Sequence, residues 1–179
     1  MEKANPSREV EIEKIVLNCG GIGDKLEKSV KLLKMISGKK VLKTTSTRRI
    51  PGFGISPGKE SGCKVTLRNK KEIIYLLKKF FAAESNQISS KKIVNNHFSF
   101  GIPEYIEVPG LEYDRDIGII GFDVTVVFSR KGKRVKLKKI KRGKYPKKQE
   151  VTKEEIITYL NKNFGLEVIE WLQVIGGRC

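Results

Sequence analysis

The sequence predicts an α+β fold: a mostly antiparallel, open-faced sheet with helices packed on one face, plus a long basic loop and a basic C-terminal extension. Three segments alternate apolar and polar residues with a period of two, so each has one apolar and one polar face. Three others carry apolar residues at helical spacing, the form needed to cover the apolar face and leave the polar one free. Charge is the third observation. In 179 residues, 37 Lys and Arg against 20 Asp and Glu leave +17, an imbalance that points to a polyanionic partner.

The elements follow in chain order. A first strand, EIEKIVLNCG, runs through Asn18 and alternates less cleanly than the rest. In GDKLEKSVKLLKMISG, Leu26, Val30, Leu33 and Ile36 recur at helical spacing, with Asp24 placed to cap the start and Gly38 to close the end. Strands are expected at 40–43 and 63–68. The segment between them, TTSTRRIPGFGISPGKESG at 44–62, is far longer than the usual hairpin loop of about two to five residues. Pro51, Gly52, Gly54, Pro57 and Gly58 give it turn chemistry, so it reads as a surface excursion carrying Arg48, Arg49 and Lys59, with Phe53 near its middle.

In CKVTLR, Cys63, Val65 and Leu67 point one way and Lys64, Thr66 and Arg68 the other. NKKEIIYLLKKFFAAES is a second helix with Ile73, Ile74, Leu77, Phe80 and Phe81 as its stripe. HFSFGI sets Phe98, Phe100 and Ile102 against His97 and Ser99; IIGFDVTVVFS sets Ile120, Phe122, Val124, Val126 and Phe128 against Asp123 and Thr125. In VTKEEIITYLNKNFG, Thr152 and Glu155 form a capping box, Ile156 and Leu160 share a face, and Gly165 suits the exit. The chain thus divides into an α+β core at 1–129, a basic extension at 130–150 expected to order only on its anionic partner, and a C-terminal helix and tail at 151–179 packing back on the core.

The charge is segregated. Residues 130–148 hold twelve basic residues and no acidic one; residues 38–63 hold six basic residues and only Glu60; together they account for the whole imbalance. Concentrated cations release counterions when they neutralise phosphates, so nucleic acid is the expected partner. A membrane surface fits less well, because RVKLKKI lacks a broad apolar face and has no Trp or Phe. The RNA-binding candidates on this ground are Lys39, Lys40, Lys43, Lys64, Arg130, Lys131, Lys133 and Arg134. For the polar strand face of Lys64, Thr66 and Arg68, composition leaves two readings open: a solvated surface, or one shaped to a structured RNA.

Other function classes find little support. No run of eighteen apolar residues and no signal-type stretch is present, so a soluble intracellular protein is expected. Cys19, Cys63 and Cys179 are odd in number and widely spaced, with His97 the sole histidine, which argues against a disulfide framework or a metal site. His97 has no evident nucleophile partner, so neither an active site nor a small-molecule substrate or cofactor is expected. CGGIGDK fits neither common phosphate-loop pattern and reads as a tight turn, although a helix N-terminus can receive an RNA phosphate. Phe98 and Phe100 share their face with core residues, which favours packing over base stacking.

With these residues in view, the chain resembles a known family: the 5S rRNA-binding proteins of the large ribosomal subunit, the universal L-five family, called L-eleven in eukaryotes. The matching pieces run in order through NPSREVEIEKIVLNCGGIGDKLEKSVKLL, ISGKK, GFGISPGKESGCKVTLR, NNHFSFGIPEYIEVPGLEYDRDIGIIGFDV and VTKEEIITYLNKNFGLEV, covering 5–169. PGLEYD and the VTKEE helix look like the archaeal and eukaryotic branch, more the archaeal. The resemblance implies a non-enzymatic protein of the cytoplasmic ribosome, whose polar sheet face grips 5S rRNA. It also implies docking of that RNA onto large-subunit rRNA in the central protuberance, beside neighbouring ribosomal proteins of the 5S particle. Carried over, Asn18, Thr66 and Arg68 are RNA contacts. The loop bearing Arg48, Arg49, Phe53 and Lys59 reaches toward the P-site tRNA, and is expected to be poorly ordered outside the ribosome.

Some positions depart from the family. GKKV replaces the usual GQKP, so a glutamine contact becomes Lys39, which binds phosphate but cannot read a base edge as an amide does. VNNHFSFGI lacks a common glycine, YDP has become YDR at Arg115, and the tail WLQVIGGRC has no counterpart in the resemblance. Two other readings remain: a nucleotide-dependent RNA-modifying enzyme using GGIGDK as a phosphate loop, and a general RNA chaperone resting on charge alone.

Overall fold

A bulge explains the poor alternation of the first strand. In the computed structural model, which describes Asn5 and residues 7–169, β1 (Val10–Gly20) pairs with β7 (Phe122–Arg130), and the register shifts between Ile12 and Lys14. The additional residue, Glu13, lets Ile12 and Ile15 both face the core although they are three positions apart. Beyond it the period of two returns with Leu17 and Cys19.

On its other side β1 pairs with β3 (Glu60–Leu67), which pairs with β2 (Leu42–Thr45). β7 pairs with β6 (His97–Ile102), and β6 with β5 (Ile93–Val94). The sheet runs β2-β3-β1-β7-β6-β5 and every neighbouring pair is antiparallel. A separate parallel pair joins β4 (Gln87–Ser89) to β8 (Glu167–Ile169). β2 and β3 therefore lie differently from the expected 40–43 and 63–68: Lys40 precedes β2, and β3 starts three residues early because Glu60 and Gly62 already pair with β2.

Three long helices cover the inner face: α1 (Asp24–Ser37), α2 (Lys70–Ala83) and a C-terminal helix. Gly38 ends α1 in the left-handed conformation (φ 61°), donating its N–H to Lys34 O. Asp24, however, does not cap the start. Gly23 is the N-cap, and Asp24 joins Glu27 in the first turn, where carboxylates complement the helix dipole. On α2, Ile73, Leu77, Phe80 and Phe81 are buried, but Ile74 is 43% exposed, since it lies one step around the helix at the rim of the stripe. Asn69 caps this helix, accepting from Lys71 N–H.

Phe81 sits where helices and sheet meet. Its ring packs on Phe98 and Phe100 of β6 and edge-on against Phe164, and Phe98 stacks in turn on Phe128 of β7. Phe98 and Phe100 are buried, as their shared face implied. Cys19 and Cys63, opposite each other across β1 and β3, are buried thiols, Cys19 donating to Ser29 Oγ at 3.1 Å.

Residues 134–137 form a short helix, α3 (Arg134–Leu137), so the basic extension is not wholly irregular. The chain then returns through Val151 to α4 (Lys153–Phe164). Asn96 (φ 68°) holds that return in place: its N–H donates to Val151 O, its Oδ1 accepts from Val151 N–H at 2.8 Å, and its O accepts from Phe128 N–H. Both halves of the Thr152–Glu155 capping box are present. Thr152→Ala is expected to cost about 1 kcal/mol of stability by urea titration, with an unchanged m-value. The tail WLQVIGGRC lies outside the described residues.

Candidate nucleic-acid interface

Facing away from the helices, the sheet presents small polar side chains in rows set by strand register. Lys64, Asn18, Asp123 and Gly101 stand side by side across β3, β1, β7 and β6. Thr66, Val16, Thr125 and Ser99 form the next row. Lys14, Val127 and His97 follow. Short hydroxyl and amide groups on a twisted sheet can approach sugar 2′-hydroxyls and base edges, while Lys14, Lys64 and Arg68 neutralise phosphate. Among the described residues these three cations have no ion pair or side-chain hydrogen bond, so their charge is available.

Asn18, Lys64, Thr66 and Arg68 thus share one surface. Lys43 does not. It stands opposite Cys63, on the helix side, and is paired to Glu60 at 2.9 Å. The hydrogen bond from Lys43 to Glu60 and the nearby carboxylate charge raise the lysine pKa. Lys39 is likewise engaged, 2.6 Å from Glu72, whose pKa is lowered by the Lys39 and Asn69 hydrogen bonds. Lys40 is exposed in the turn before β2.

The 44–62 loop is a surface excursion, and it is built as a hairpin. Ser46 N–H donates to Lys59 O and Gly58 N–H to Ser46 O at its base. Ile50 and Ile55 exchange N–H to O bonds near its tip, around a 3-10 turn at Pro51–Phe53. No residue from Thr44 to Lys59 is buried. Arg48 and Arg49 are exposed on one arm, Lys59 on the other reaches Gly54 O at 3.4 Å, and Phe53 is 73% exposed at the tip.

In the extension, cations divide by role. The side chain of Arg130 is only 9% exposed and pairs with Glu155 of the α4 capping box; Lys133 pairs with Glu13, the bulge residue of β1; Lys131 lies 3.3 Å from Glu9. These three fasten the base of the extension to the core. From Arg134 onward the basic side chains are exposed or half-exposed and free of ion pairs among the described residues. For Glu155, burial pushes the carboxyl upward, but the Thr152 backbone N–H and the Arg130 guanidinium outweigh it, so the pKa falls below the ordinary 4.5. A lowered folded pKa means this contribution is complete above the unfolded value and is lost as pH falls through the folded one. Glu155→Gln is expected to cost about 1–3 kcal/mol, since Glu155 itself is 40% exposed and screened but its partner Arg130, 9% exposed, loses its counter-charge, and to flatten the acid limb of stability measured from pH 3 to 7.

The CGGIGDK turn offers a poor phosphate seat. It does place the α1 N-terminus beyond a strand, but Asp24 and Glu27 occupy the first turn and would repel an anion. No group of three or more His, Cys, Asp and Glu is placed to hold a metal among the described residues, and no helix there is long and apolar enough to cross a membrane. The sequence reading did not carry Thr125 and Ser99 into the interface, although their alternation placed them there. Lys14 lies on the regular side of the bulge, two and four positions before Val16 and Asn18, so counting back from Asn18 by twos would have found it; the bulge shifts the inner and outer assignment only of the residues before Glu13.

Two family models match the chain. Residues 5–55 match "Ribosomal protein L5", and residues 60–159 match the model for the C-terminus of the same ribosomal protein family. Among curated relatives, a Nanoarchaeum equitans protein is 39% identical over 167 residues, covering 92% of this chain and 99% of its own length. One from Picrophilus torridus is 36% identical over 168 residues (92% and 96%). An Archaeoglobus fulgidus protein is 39% identical over 158 residues (87% and 88%). Each of the three bears the name "Large ribosomal subunit protein uL5".

Proposed function

The chain belongs to the ribosomal protein L5 family, and from that premise we propose that it binds 5S rRNA on the outer sheet face and joins that RNA to large-subunit rRNA. It is a structural, non-enzymatic constituent of the large subunit of the cytoplasmic ribosome. One observation carries the RNA reading: the uncovered sheet face gathers Asn18, Thr66, Thr125 and Ser99 beside unpaired Lys14, Lys64 and Arg68. A merely solvated face has no need to gather short hydroxyl and amide groups between its cations.

The free basic residues beyond Arg134 supply a second, less specific phosphate contact, suited to the large-subunit rRNA and to the rim shared with neighbouring ribosomal proteins. The 44–62 hairpin, with Arg48, Arg49, Phe53 and Lys59, projects a cationic and aromatic tip well suited to the P-site tRNA. Thr66→Ala combined with Arg68→Ala is expected to weaken 5S rRNA binding by about tenfold in a filter assay at fixed salt. Unchanged affinity in a folded double variant would remove the sheet face from the interface. The general-chaperone reading instead expects unrelated duplexes to compete as well as unlabelled 5S rRNA.

A further inference from the structure

One residue on the outer face runs against its charge. Asp123 is exposed, between Asn18 and Gly101 in its row, and among the described residues no cation or hydrogen-bond donor engages its carboxylate, whereas Glu84, the other carboxylate at the same groove, is paired with Lys92. A bare carboxylate repels a phosphate backbone, so its presence on an RNA-facing surface calls for a different contact.

Its surroundings say which. Asp123 lies directly across from Asn18, and both line a groove of about 580 Å³ at the end of the sheet. Gly20, Gly101 and Gly121 also line that groove, so much of its floor is backbone without side chains. A Cβ at Gly20 would meet nothing within 4 Å, which leaves that part of the floor open. One at Gly101 would come 3.1 Å from Asp123 Oδ1, so the carboxylate lies across that glycine. Glycine within strands often marks where a ligand approaches the backbone closely.

Side by side, Asp123 and Asn18 offer two acceptor oxygens and an amide donor. Of the four RNA bases only guanine presents the complement on its Watson–Crick edge: N2–H and N1–H as adjacent donors, then O6 as acceptor. Adenine, cytosine and uracil each place an acceptor where the second carboxylate oxygen would need a donor. We infer that this groove takes a single unstacked guanine of the bound RNA, with Asp123 accepting from N1–H and N2–H and Asn18 donating to O6. The inference rests on the outer face being the RNA-binding surface, and it adds base selection to a surface otherwise matched to phosphate and sugar.

Kethoxal, which reacts at N1 and N2 of unpaired guanine, tests it on the full chain bound to a 5S rRNA transcript. The wild-type protein should protect one unpaired guanine. Asp123→Asn should restore reactivity at that base alone and weaken binding about tenfold. Gly20→Ala, whose added Cβ meets nothing within 4 Å and so narrows the floor without contact to either polar residue, should restore part of the reactivity of the same base. Replacing that guanine by adenine should weaken binding of the wild type without weakening that of Asp123→Asn any further. If Asp123→Asn leaves every protection in place, or binds more tightly, the carboxylate reads no base and the inference is overturned. A wild-type protein that binds the transcript yet protects no unpaired guanine overturns the inference too, whereas unchanged affinity of the Thr66→Ala, Arg68→Ala double variant would remove the sheet-face reading on which it stands. Circular dichroism of both variants separates either outcome from misfolding.

Discussion

Phe81→Ala is expected to lower the unfolding free energy by about 3–5 kcal/mol, the largest effect of any single substitution considered for this chain. Phe81 is 2% exposed and its ring meets Phe98, Phe100 and Phe164, so truncation leaves a cavity bounded by a helix, the sheet and the end of α4. β6 and α4 are fixed by their own hydrogen bonds and cannot collapse far into that space, which keeps the cost near the upper end. A shift of the urea midpoint with an unchanged m-value is the expected readout. Phe81→Leu, which refills most of the volume, should recover more than half. A loss under about 1 kcal/mol for alanine would mean that the aromatic cluster relaxes easily, contrary to the packing described.

The second large effect concerns salt. Replacing Lys136, Lys138, Lys139, Lys141, Arg142 and Lys144 by glutamine is expected to reduce the slope of log affinity for rRNA against log salt by up to about 4–5 units, if each contacts one phosphate. Affinity at low salt should fall far more than at high salt. This set is chosen because the structure separates free cations from anchoring ones. A deletion beginning at Arg130 would also strip Glu155 of its partner and mix a folding defect into the binding measurement. An unchanged slope in the folded variant would exclude the extension from phosphate contact.

Most of the fold was legible in the sequence, because burial imposes its period on apolar residues whatever their identity. CKVTLR, HFSFGI and IIGFDVTVVFS each declared an inner and an outer face, and their pairing in one sheet followed. The capping box at Thr152 was readable since its hydrogen bonds are local. What escaped depends on partners distant in sequence. The bulge at Glu13 appears only through the register with β7, and with it Ile12 joins Ile15 on the inner face. Arg130 looked like one more cation in a run of them, yet its partner Glu155 lies 25 positions away and makes it part of the base of the extension. Lys43 followed the basic composition of its neighbourhood but sits on the helix side of the sheet, away from the proposed RNA surface.

The clamp between Asn96 and Val151 has a consequence for how the extension works. With Arg130 held by Glu155 at one end and Val151 held by Asn96 at the other, residues 131–150 are a closed loop on the core rather than a dangling arm. Its free lysines are thereby confined to a small volume beside the sheet. On the proposed function, an RNA engaged by the sheet would meet those lysines at an effective concentration set by the loop's span, so the second contact would follow as an intramolecular step. A single proteolytic cut within the loop would leave both halves attached to the protein. The cut would lower avidity by loosening the tether, with no need for any cation to be lost.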